Sequence, residues 1–74
     1  MTNYIKAEGF DSAIIGIDTN QERLIYSKQQ MIDILVLDGL SIDEAIEYLE
    51  YNTWNSSTSK HTPIYLHPIT NQKF

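Results

Sequence analysis

The chain is predicted to be an α+β domain of order β-β-α-α-β, a three-stranded, mainly antiparallel sheet with two helices on one face. Three observations predict it. Ala13-Ile14-Ile15-Gly16-Ile17 and Arg23-Leu24-Ile25-Tyr26 are short apolar runs separated by the polar stretch Asp18 to Glu22, the pattern of two strands and their turn. Ser27-Lys28-Gln29-Gln30 and Ser41-Ile42-Asp43-Glu44 both have the Ser-x-x-Gln/Glu form that opens a helix. A third apolar run, Ile64-Tyr65-Leu66, lies between Pro63 and Pro68.

Each element follows in order. Residues 1–11 show no period and are read as an N-terminal arm, followed by one domain over 12–70 and a tail at 71–74. The first two strands form a hairpin. At Ser27 the serine hydroxyl can accept from the Gln30 amide while Gln30 reaches back, and Tyr26 and Met31 take the two positions of a hydrophobic staple. Met31, Ile32, Ile34, Leu35, Val36 and Leu37 make an apolar set too wide for one stripe, which predicts a first helix buried on most sides. Gly39 is placed to end it in a left-handed conformation, with Leu40 folding back on Leu35. The second helix carries Ile42, Ala45, Ile46 and Leu49 at spacings of three and four, with Asp43 and Glu44 in its electropositive first turn. Asn52 to Lys60 reads as its exit and a polar loop. Proline cannot donate to a ladder, so the last strand is predicted to be short or at an edge.

Composition narrows the function. A chain of 74 residues buries only about 60% of the surface its unfolded form exposes, which leaves little room for a deep catalytic cleft. There is no cysteine for a disulfide or thiolate metal site. No run approaches the roughly 20 apolar residues of a membrane span, and no signal peptide is evident, so a cytoplasmic protein without a membrane partner is expected. Ten acidic and five scattered basic residues give a net charge of −5, which disfavours direct contact with nucleic-acid phosphates. A second helix bearing Asp43, Glu44, Glu47 and Glu50 cannot serve as a recognition helix in a major groove.

The candidate site is the second helix and its exit. Asp43, Glu44, Glu47 and Glu50 recur on neighbouring turns with no basic residue among them. Such a face either keeps the protein soluble or steers it onto a basic surface of another protein. Tyr48, Tyr51 and Trp54 follow at spacings of three, and Tyr and Trp supply large rigid area with a polar tip, as interface anchors do. Either they cover the core or a partner buries them; Tyr51 and Trp54 are the two expected outside. His61 and His67 lack metal-ligand spacing, and Ser56 to Ser59 have no group to activate a nucleophile. No metal, no cofactor and no enzyme are expected.

The order RLIYS…MIDILVLDGLSIDEAIEYLEYN…TPIYL resembles a set of small proteins common in tailed bacteriophages. The matching positions are Tyr26, Met31, Ile32, Gly39 to Ser41, Glu44 to Tyr48, Tyr51, Asn52 and Thr62 to Ile64. The chain departs from them at Thr53 to His61, where they carry a compact Gly-Ala-Tyr-Val-Gly-Glu-like segment. The resemblance implies a phage-encoded protein acting in an infected bacterial host, and an anti-CRISPR or other counter-defence inhibitor is the type expected. The alternative is a homo-oligomer, possible as a homodimer, with a structural or nucleotide-sequestering role. In the first reading Asp43, Glu44, Glu47, Tyr48, Glu50, Tyr51 and Trp54 bind a host protein with a basic surface.

Overall fold

The computed structural model describes residues 4–55 and 61–67. Strand β1 spans Ile14–Asp18, strand β2 Arg23–Ser27, helix α1 Lys28–Leu37, helix α2 Ile42–Leu49 and strand β3 Ile64–Leu66. The α+β class and the order β-β-α-α-β are as the sequence predicts. A 3₁₀ turn at Asp11–Ala13 leads into β1, and a π-helical turn, Glu50–Trp54, continues α2.

The sheet runs β1-β2-β3. β1 and β2 are antiparallel, with a bulge between Ile14 and Gly16. The Asp18 carboxylate shapes their turn by accepting from the amides of Asn20 (3.0 Å) and Gln21 (3.4 Å), an Asx-type turn. β3 lies parallel to β2, Ile25 opposite Ile64 and Tyr26 opposite Tyr65. The sheet is therefore mixed rather than mainly antiparallel. Two helices intervene between β2 and β3, so the chain returns on a long crossover, as parallel strands require. β3 is three residues long and at an edge, where Pro63 costs no ladder bond.

Both serines cap their helices, but the reciprocal bond expected from the Gln30 side chain to the Ser27 amide is not formed. The Ser27 hydroxyl accepts from Gln30 N at 3.2 Å. At Ser41 the box is complete: the Glu44 amide donates to Ser41 Oγ (3.1 Å) and the Ser41 amide to Glu44 Oε1 (2.9 Å). Between the helices, Leu40 N donates to Leu35 O and Gly39 N to Val36 O. With Gly39 at φ +111°, these are the two bonds of a Schellman turn.

The core comprises Phe10, Ala13, Leu24, Tyr26, Met31, Ile32, Ala45 and Leu49. Two sequence expectations are corrected here. First, α1 is not buried on most sides: Met31 and Ile32 are buried, Ile34 and Leu35 are half-buried, and Leu37 is 87% exposed. A two-layer domain offers this helix one packing face, so its remaining apolar residues meet solvent. Ile42, assigned to the inner stripe of α2, is likewise 61% exposed. Second, Phe10 lies within the arm drawn at 1–11 yet is buried in the core. That segment is held down further by the Ala7 amide, which donates to the Tyr26 hydroxyl at 2.9 Å. The tail at 71–74 and the Ser56 to Lys60 loop lie outside the described residues.

Candidate functional site

Helix α2 presents its sides unequally. Ala45 and Leu49 are buried one turn apart, which fixes the opposite side to solvent. There Glu44, Glu47, Tyr48 and Tyr51, with Leu40 and Asn52, surround a shallow concavity of about 350 Å³. Tyr48 is 47% and Tyr51 82% exposed. Asp43 and Glu50 are exposed too, but they lie beside this concavity rather than in it. Six of the seven residues named from the sequence are thus on the outer surface of one helix and its exit.

Glu44 has two roles. Its carboxylate is held below the usual glutamate range, chiefly by the Ser41 amide and then by the Ser41 hydroxyl. Ionised at neutral pH, it both closes the helix start and adds negative charge to the concavity. Lys6 with Asp11 is the one ion pair among the described residues. No Lys, Arg or His occurs from residue 29 to 59, so no cation in that stretch neutralises the helical face.

Trp54 is the seventh residue, and it points elsewhere. Its indole Nε1 donates to Met31 Sδ at 3.5 Å, and Lys28 Nζ lies 4.7 Å from the ring centroid. The cause is the π-helical turn. In an i→i+5 turn residues five apart come into line, so Trp54 follows the buried Leu49 toward the core. The Asn52 side chain donates to Tyr48 O and that of Asn55 to Glu50 O, both at 2.9 Å, bracing the turn from its outer side. Tyr51 stays outward and Trp54 is half-buried, so the aromatic series read at spacings of three divides between surface and core.

A second concavity, about 240 Å³, lies on the other side of Tyr48 and Asn52, under Ile5, Lys6 and Ala7 and against Pro63 and Tyr65. The Tyr65 ring sits 5.6 Å from that of Tyr26. Burial, and then Tyr26, push the Tyr65 hydroxyl above its ordinary range, so it is neutral here at physiological pH. His67 lies just beyond β3 and is exposed; His61 Nδ1 sits 3.2 Å from Gln21 O. No grouping of three potential metal ligands occurs among the described residues, and no helix of the described residues is long and apolar enough to cross a membrane.

The sequence reading missed Val36, Leu37 and Ile42 as surface residues. Their periodicity marked them as apolar but did not count the layers available to cover them. Comparison with protein-family models, with curated proteins and with solved structures returns no match for this chain.

Proposed function

We propose that this is a phage-encoded binding protein that inhibits a host defence or nucleic-acid-processing protein, of the counter-defence type, by occupying a basic surface on it. One observation carries the reading. Glu44 and Glu47 share an open concavity with Tyr48 and Tyr51 on a helix with no basic residue of its own. Carboxylates beside tyrosine faces suit lysine and arginine side chains, which pair with the first and stack on the second. Asp43 and Glu50 extend the negative field along the helix and steer approach. In a bacterial cytoplasm such a surface competes with phosphate backbones for the same cations.

The test is capture of partners from the host by the intact protein, followed by affinity measurement on the partner found. Reversing Glu47 and Glu50 to Lys is expected to abolish binding. Unchanged affinity removes the electrostatic basis of the proposal. Self-association is a second reading, favoured by apolar side chains that the sheet leaves open: Ile25 and Ile64 lie opposite each other on one face with Leu66 following, and Ile15 and Ile17 are exposed on β1. Light scattering distinguishes it as a stable oligomer that takes up no host protein.

A further inference from the structure

The α1–α2 corner has an unusual surface for a chain of this charge. Leu37 ends α1 and is 87% exposed, Ile42 begins α2 five residues on and is 61% exposed, and Val36 adds a further open apolar side chain. The Schellman turn between them fixes their spacing, since Leu40 N and Gly39 N are both bonded back to α1. Acidic residues neighbour them along both helices and the turn. Asp33 lies one helical turn before Leu37 and accepts from Gln29 Nε2 at 3.0 Å, while Asp38 and Asp43 flank the turn, all three exposed. None of them is in an ion pair among the described residues.

An apolar centre inside a charged rim is the layout of a protein interface. Charge then selects the occupant. A second copy would bring its own net charge of −5 and the same three aspartates against this rim, and like charges across an interface oppose association. A membrane surface of anionic lipid is disfavoured for the same reason. We infer that the corner is a docking knob: Leu37 and Ile42 enter an apolar pocket of a partner protein whose rim carries Lys or Arg paired with Asp33, Asp38 and Asp43. This rests on the proposed role in binding a basic protein and adds a second, hydrophobic contact site at the far end of α2 from Tyr51.

The test uses the full isotope-labelled chain and two synthetic helical peptides of equal positive charge. One has Leu along one face between its Lys residues; the other has Ser in place of Leu. The Lys/Leu peptide is expected to shift the amide resonances of Leu37, Asp38, Ile42 and Asp43, and Leu37→Ser to weaken its binding about tenfold or more, the scale set by burying one leucine. The Lys/Ser peptide is expected to leave the corner unshifted. Since Leu37 is exposed, Leu37→Ser should keep the fold, which the dispersion of the remaining resonances checks; Ile42→Ser provides an independent second variant. Failure of the Lys/Leu peptide to bind, shifts confined to the Glu44 to Tyr51 concavity, or affinity unchanged from the parent in both Ser variants overturns the inference. Concentration-dependent self-association abolished by Leu37→Ser also overturns it, assigning the corner to a second copy. A Glu47→Lys/Glu50→Lys variant separates the two proposals: loss of the α2 contact leaves the response to Leu37→Ser intact if the corner acts on its own.

Discussion

At Ser41 and Glu44 one pair of side chains decides where α2 begins. Ser41→Ala removes the acceptor for the Glu44 amide and is expected to cost about 0.5–2 kcal/mol, measurable by urea unfolding. Because the Glu44 pKa is lowered in the folded protein, its contribution is present at neutral pH. That contribution fades as pH falls below the ordinary glutamate value and through the lowered one. Glu44→Gln should therefore reduce stability at pH 7 and flatten its acid dependence; an acid-unfolding curve parallel to that of the parent would contradict this role. Tyr26 is a second decisive residue, since its hydroxyl receives the Ala7 amide. Tyr26→Phe leaves that donor without its partner, at about 1–3 kcal/mol if no water replaces it, and should speed hydrogen exchange at Ala7 before it affects α1. At Glu22 the backbone adopts φ +55°, which a side chain resists. Glu22→Gly relieves that cost of about 1–2 kcal/mol but adds freedom to the unfolded chain, so it should stabilise the hairpin by less than the full cost in thermal unfolding. The serine caps were readable because their chemistry is local. The Tyr26 contact was not, since it joins residues 19 apart.

Among the elements, the exit of α2 departs furthest from what periodicity suggests. Tyr48, Tyr51 and Trp54 seem equivalent along an ideal helix, yet the π-helical turn sends the last of them inward. One extra residue in the turn explains this. Deleting Asn52 should return the turn to α-helical spacing, where residues four apart align, and keep the indole over Met31 with unshifted tryptophan fluorescence. Inserting an alanine after Asn52 should turn the indole into water and move its emission to longer wavelength. If both changes shift the emission equally, the turn does not set the orientation. The exposed end of α1 has the opposite cause. Apolar periodicity along Met31 to Leu37 was legible, but whether a third layer covers the helix depends on the arrangement of the whole chain. Here only one face meets β2 and α2.

On the scale of the whole molecule, charge and topology act separately. Acidic residues dominate the helices while strand β1 exposes Ile15 and Ile17, so the helices and the sheet suit different neighbours. Partner binding through α2 should weaken as ionic strength rises from about 0.1 M to about 1 M, since the screening length falls from about 10 Å to about 3 Å; salt-independent affinity measured by titration calorimetry would point to the apolar corner alone. Fold class and element order were legible because each strand and helix carries its own punctuation. The parallel placement of β3 was not, for no local signal says which way an edge strand runs. That placement also sets a sequence of events in time. The hairpin and α1 make contacts between near neighbours, whereas Arg23 Nε reaches the Thr62 carbonyl across 39 residues. Closing so long a loop is slow relative to local pairing. β3 is thus the last strand to join as the chain leaves the ribosome, and until it arrives β2 waits with one edge bare.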